Sequence, residues 1–142
     1  MIIVDHRQEP IVSWRPGNTT VRHADKRLGA EELTTGQQWF EKGSGAPMHY
    51  HPDGIEEVIC IESGSMRFFY DGQEAILGAG SSVVITPNVK HGFVALEDLA
   101  IGGGGLSSNV QTTIFDESPD VIYDIGDTEG IVVDEHRRIR RT

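Results

Sequence analysis

The sequence predicts an all-β protein, a barrel or sandwich built from short antiparallel strands. Its 142 residues suit one domain with a buried core. Short runs of β-branched and aromatic residues alternate with Gly, Pro, Asn and Asp, a pattern typical of such folds. No segment longer than about ten residues has helical periodicity, although residues 25–33 could form a helical turn.

Seven runs are predicted as strands: 36–41, 58–61, 66–70, 83–86, 93–96, 99–106 and 112–115. The dipeptide Asp71-Gly72 follows the third run, and it favours a two-residue hairpin turn. Residues 102–105 are four consecutive glycines inside a predicted strand. Because glycine weakens a strand interior, they indicate either room for a substrate or a bend at a barrel corner.

The chain is divided into three segments around one barrel. Residues 36–115 are predicted to form the barrel core, and residues 116–142 a C-terminal extension with a basic tail. Residues 1–35 would form an N-terminal arm with strands that pack on the barrel or on a partner subunit. Alternation along run 58–61 turns Val58 and Cys60 outward, where residues 11–14 or a second subunit could cover them.

Charge and cysteine content exclude several classes of protein. The formal net charge of −10 argues against nucleic-acid binding, because phosphate recognition needs a basic face. The basic run 136–141 is interpreted as a solvated tail that pairs with the acidic stretch before it. Charge appears too early in the sequence for a signal peptide, and no apolar run approaches bilayer length, so we expect a cytoplasmic protein without membrane contact. With one cysteine, Cys60, no intrachain disulfide forms.

Three histidines and one glutamate, His49, His51, His91 and Glu57, predict a metal site. Residues at i and i+2 of a strand point to one face, so His49 and His51 would aim at the same point. Imidazole binds zinc, iron, nickel and copper well, and an added carboxylate extends the choice to manganese. We expect one divalent ion per chain, with Fe²⁺ or Mn²⁺ favoured and Ni²⁺, Zn²⁺ or Cu²⁺ as alternatives.

The stretch from Gly43 to Gly64 resembles the first signature motif of the cupin superfamily, Gly-X5-His-X-His-X3–4-Glu-X6-Gly. Five residues rather than three or four separate His51 from the glutamate, so a longer turn is expected there. Glu56 is therefore a rival ligand. Glu57 is preferred because its distance to Gly64 fits the motif and because strand alternation places it on the inward face of the next run.

Residues 80–91 resemble, more weakly, the second cupin motif, Gly-X5-Pro-X-Gly-X2-His-X3-Asn. Thr86 takes the place of the first proline, Asn88 that of the glycine and Ala95 that of the asparagine, whereas His91 keeps its place. Asn tolerates a left-handed backbone better than most residues, so the turn can be retained. The resemblance implies a cupin-like double-stranded β-helix, or jelly-roll barrel, that holds one metal. Since cupin-like proteins are often homodimers, it also implies a homodimer.

The predicted centre keeps room for a substrate. Four protein ligands on an octahedral ion leave two positions open, which distinguishes a catalytic metal from a closed structural one. Phe68, Tyr70, Phe93 and Gly103 are expected to line the pocket, and no further catalytic residue is assigned. We expect a metal-dependent enzyme for a small organic molecule, an oxygenase ahead of a lyase or an isomerase. The alternative is a non-catalytic binding or sensing protein with a structural metal.

Overall fold

The computed structural model describes residues 1–51, 53–107, 122–123, 131–133 and 139–141. These residues contain thirteen strands: β1 (Val12–Arg15), β2 (Asn18–Ala24), β3 (Leu33–Phe40), β4 (Gly45–Tyr50), β5 (Glu57–Ser63), β6 (Ser65–Tyr70), β7 (Gln73–Gly78), β8 (Ser82–Ile85), β9 (His91–Ala95), β10 (Leu99–Ser107), β11 (Ile122–Tyr123), β12 (Ile131–Val133) and β13 (Ile139–Arg141). Short 3-10 turns span His6–Gln8 and Lys26–Leu28. The second confirms the helical turn expected within 25–33. The predicted strand at 112–115 lies outside the described residues.

The described residues form two large antiparallel sheets and one two-stranded sheet. The larger has the order β1-β2-β3-β10-β5-β8, and the smaller has the order β11-β4-β9-β6-β7. Strands β12 and β13 pair separately. Neighbours distant in sequence, such as β3 with β10 and β4 with β9, show that the chain crosses repeatedly between the sheets. This architecture confirms the predicted all-β jelly roll.

The core lies between the inner faces of the two sheets. On β5, Ile59 and Ile61 are buried and Val58 and Cys60 are half-buried, as the alternation predicts. Phe93 packs edge-on against Phe40 from the opposite sheet, with ring centroids 5.0 Å apart. Burial of each such side chain contributes about 1.5–3 kcal/mol, so this cluster holds the sheets together. Its buried members are Phe40, Ile59, Ile61, Met66, Phe68, Ile85, Phe93, Ala95, Leu99 and Ile101.

The β6–β7 connection is the predicted two-residue hairpin. Tyr70 pairs with Gln73, so that Asp71 and Gly72 alone form the turn. Their φ angles are 47° and 71°, the left-handed values that a type I′ turn requires at both central positions.

The glycine run in β10 lies where the strand bends. Gly103 and Gly104 have φ angles of 112° and 149°, and the register with β3 shifts just after Gly104. A side chain on Gly103 would come within 2.5 Å of the Val58 carbonyl oxygen. The glycines therefore allow close approach of neighbouring backbones, which supports the bend among the two interpretations of this run.

The outer face of the larger sheet remains partly apolar. Strand β1 pairs with β2 at the sheet edge, and three strands separate it from β5. Residues 12–15 thus extend the sheet and do not lie over Val58 and Cys60. Val84, which pairs with Val58, is 64% exposed, and Trp39 is 38% exposed.

Candidate metal centre

The three predicted histidines meet at one end of the barrel. His49 near the end of β4 pairs directly with His91 at the start of β9. Directly opposed residues of antiparallel strands have Cβ atoms about 4.5–5.5 Å apart. The ring centroid of His49 lies 4.2 Å from that of His91 and 5.1 Å from that of His51. One ligand atom from each ring lies within 4.8 Å of the others, and all three rings are buried.

Glu57 reaches the same point from the other sheet. It is the first residue of β5, and its Oε2 lies 2.9 Å from Nε2 of His51. Its Oε1 lies 3.8 Å from Nε2 of His91. Glu56, the rival candidate, is exposed, whereas the side chain of Glu57 is only 13% exposed. The structure therefore brings together His49, His51, Glu57 and His91, and it leaves Glu56 in solvent.

Backbone carbonyl groups set the orientation of two rings. Nδ1 of His49 lies 2.8 Å from the Pro47 carbonyl oxygen, and Nδ1 of His91 lies 2.9 Å from that of Val89. A carbonyl oxygen only accepts, so Nδ1 carries the proton and Nε2 keeps its lone pair. Each carbonyl comes two residues before its histidine. Sequence reasoning missed these groups because every residue has a carbonyl, and only the fold shows which ones face a ring.

Burial and charge set the protonation states of the centre. Burial lowers the pKa of His91 below its ordinary 6.5, against the opposing influence of the Glu57 charge and the Val89 hydrogen bond. Burial alone would raise the pKa of Glu57, but the hydrogen bond from His51 and the charges of His51 and His91 together bring it below 4.5. Neutral pH thus favours a neutral His91 and an ionised Glu57. These are the forms that bind a metal ion.

The donor set fits one divalent cation. Nε2 of His91 is buried and has no hydrogen-bond partner among the described residues. Leaving a buried polar atom unpaired costs about 1–3 kcal/mol, which a cation at this point would offset. Three imidazoles and a carboxylate suit iron, manganese, nickel, zinc and copper, and they do not select one of these metals.

Aromatic side chains lie beside the histidines. The Phe68 ring stacks at 6.1 Å from the His91 ring, and Tyr70, two residues further along β6, has its ring 5.9 Å from that of Phe68. Tyr70 also pairs with His91 in the β6–β9 register. Phe93 is buried in the core, whereas Gly103 is exposed on β10. The lining role of Phe68, Tyr70, Phe93 and Gly103 remains a prediction.

The far edge of β4 carries a strand that sequence reasoning missed. Strand β11 pairs with β4, and its register places Tyr123 opposite His49. Two residues of strand are too few for a periodic pattern to reveal.

Comparison with known proteins identifies the kind of fold. Residues 37–101 match the sequence model described as the Cupin domain. No curated protein matches the sequence. An RmlC-like cupin from Shewanella frigidimarina is 25% identical, with a TM-score of 0.60 over 72% of this chain and 89% of that chain.

Two further solved structures have the same fold. KdgF from Halomonas sp. is 20% identical, with a TM-score of 0.61 over 74% of this chain and 93% of that one. The polyketide cyclase RemF from Streptomyces resistomycificus is 19% identical, with a TM-score of 0.61 over 87% and 84%. At these identities the likeness concerns the fold alone.

Proposed function

We propose that this chain is a small protein of the cupin family and a metal-dependent enzyme that acts on a small organic molecule. The observation that carries the proposal is the convergence of His49, His51, His91 and Glu57 at one end of the barrel. An oxygenase-type reaction is favoured, with lyase or isomerase chemistry as alternatives on the same centre.

The chain's own residues would prepare the centre. The carbonyl groups of Pro47 and Val89 hold two rings with Nε2 inward, so little reorganisation is needed on binding. A cluster of buried apolar side chains lies between the sheets, and one of its members, Phe68, stacks against His91. A bound divalent metal would supply Lewis acidity toward a chelating substrate and, in the case of iron, reactivity toward dioxygen.

The surroundings of Glu57 favour an oxygenase among the three reactions. One carboxylate oxygen faces His51 and the other faces His91. Both oxygens of the Glu57 carboxylate thus face histidines of the centre, so this carboxylate is poorly placed to carry a substrate proton. A lyase or isomerase would need another proton carrier, and Tyr70 beside His91 is the candidate for that role. If Phe68 and Tyr70 line the pocket as predicted, their rings beside His91 would suit an apolar or aromatic substrate.

We further propose that the protein is a homodimer. The support is the outer face of the larger sheet, where Val84 and Trp39 are exposed and Val58 and Cys60 are half-buried. A cytoplasmic location and the lack of nucleic-acid binding also remain proposals, based on composition.

In the described part of the chain, no helix is both long enough and apolar enough to cross a bilayer.

Metal content gives the first test of the proposed function. Elemental analysis of purified protein should find about one divalent metal per chain, and His49→Ala and His91→Ala should each remove most of it. His6→Ala is the matched control, because His6 lies outside the centre. Unchanged occupancy in both ligand variants would contradict the proposed site.

Open coordination positions give the second test. Protein loaded anaerobically with iron(II) should give a nitrosyl EPR signal with nitric oxide, because exchangeable positions remain. Diketones, flavonol-like diols and small acids should then be screened for oxygen uptake that matches substrate loss. A coordinatively closed metal, whose removal lowers thermal stability without loss of any turnover, would point to the binding or sensing protein instead.

A further inference from the structure

One loop residue joins the two segments that carry the histidines. The backbone N–H of Asn88 donates to the carbonyl oxygen of His51 at 2.7 Å. The side-chain Nδ2 of Asn88 donates to Oδ1 of Asp53 at 2.5 Å. The loop before His91 therefore contacts the segment after β4 at two points, one of them on a histidine of the centre.

The backbone of Asn88 links this contact to His91. Its φ is 68°, a left-handed value that few residues other than glycine adopt readily. The turn that contains it is closed by a hydrogen bond from Val89 N–H to the Thr86 carbonyl oxygen. The Val89 carbonyl oxygen in turn accepts from Nδ1 of His91. Asn88 is thus bonded to the backbone carbonyl of His51 and directly precedes Val89, whose carbonyl orients His91.

Glycine, which the family motif has here, could adopt this backbone without strain. The asparagine side chain is therefore not needed for the turn itself. What it adds is the hydrogen bond to Asp53, which ties the two loops together.

We infer that Asn88 is a positioning residue that, with Asp53, holds the two histidine-bearing segments in register and so raises the affinity of the centre for metal. The inference rests on the proposed function, because it requires a metal to bind there. Loops already held together lose less freedom when the metal binds. One net hydrogen bond corresponds to about a two- to tenfold change in the dissociation constant.

The test is Mn²⁺ titration of the metal-free protein by calorimetry. Asn88→Gly and Asp53→Ala should each raise the Mn²⁺ dissociation constant by about two- to tenfold. The double variant should bind Mn²⁺ no more weakly than the weaker-binding single variant, because both substitutions remove the same hydrogen bond. Asp53→Asn keeps a carbonyl acceptor and should restore binding close to wild type.

Asp71→Gly is the matched control. Asp71 is the other described non-glycine residue with a positive φ, and it lies in the β6–β7 turn. This variant relieves the same kind of backbone strain and leaves the Asn88–Asp53 hydrogen bond in place, so its Mn²⁺ affinity should stay at the wild-type value. Thermal unfolding of metal-free protein should show Asn88→Gly at least as stable as wild type, which separates positioning from a general loss of structure.

Wild-type affinity in Asn88→Gly and Asp53→Ala would overturn the inference and leave the proposed function intact. Additive losses in the double variant, or losses of affinity that parallel losses of metal-free stability, would also overturn it. Failure of the wild-type chain to bind any divalent metal would instead sink the proposed function, and this inference with it.

Discussion

Glu57→Gln is expected to weaken metal binding at least tenfold, and Glu56→Gln to change it less than about twofold. The two residues are neighbours, but only Glu57 points toward the histidines, 2.9 Å from His51 and 3.8 Å from His91. Loss of a group that merely orients a ligand already costs about 10- to 100-fold in metal affinity, and loss of a direct ligand should cost no less. Each substitution removes one negative charge from a net −10, so the pair is matched for overall electrostatics.

The same substitution should leave the metal-free protein folded but less stable. Burial alone disfavours the charged form of Glu57, but the hydrogen bond from His51 and the charges of His51 and His91 outweigh it and bring the pKa of Glu57 below 4.5. Glutamine has nearly the same shape without the charge, so metal-free Glu57→Gln should unfold at a lower temperature than wild type at neutral pH. Competition titration with a chromophoric chelator gives the affinities, and differential scanning calorimetry gives the unfolding temperatures. Equal affinities for the two variants, or a larger loss in Glu56→Gln, would refute the assignment of Glu57.

Three other predictions concern stability and assembly. In the folded chain the pKa of His91 lies below 6.5 and that of Glu57 below 4.5. The metal-free protein should therefore lose stability as pH falls below about 6.5, and again as it falls below about 4.5. Urea unfolding midpoints that rise on acidification would contradict this. Val84→Glu on the exposed outer face should give a monomer in light scattering if the protein is a dimer, and an unchanged mass would argue against that face. Ile59→Ala should cost about 2–5 kcal/mol in urea unfolding and exposed Ile76→Ala less than about 0.5 kcal/mol, and equal costs would contradict the packing of the core.

Strands with apolar inward faces could be predicted, and strands with polar inward faces could not. The alternation of Ile59 and Ile61 with outward neighbours in β5 is clear from the sequence, and β5 was predicted. Strand β2 was missed because its buried positions include Asn18 and Thr20, which hide the alternation. Their side chains donate to the carbonyl oxygens of Trp39 and Gln37, and these hydrogen bonds to β3 offset part of the cost of burying them. Such a segment is stable as a strand only because the neighbouring strand supplies hydrogen-bond acceptors for its buried polar side chains.

Sequence alone determined the chemistry available to the candidate site. Local spacing predicted that His49 and His51 would aim at the same point, although β4 ends at Tyr50 and His51 lies just beyond it. Spacing also favoured Glu57 over Glu56, because alternation is a property of neighbouring residues. The tertiary structure decided what faces what: His91 lies opposite His49, and Glu57 arrives from the other sheet. It also decided the orienting carbonyls and the contact of the two loops. These arrangements depend on strand register between segments far apart in sequence, which the whole core selects and no local pattern encodes.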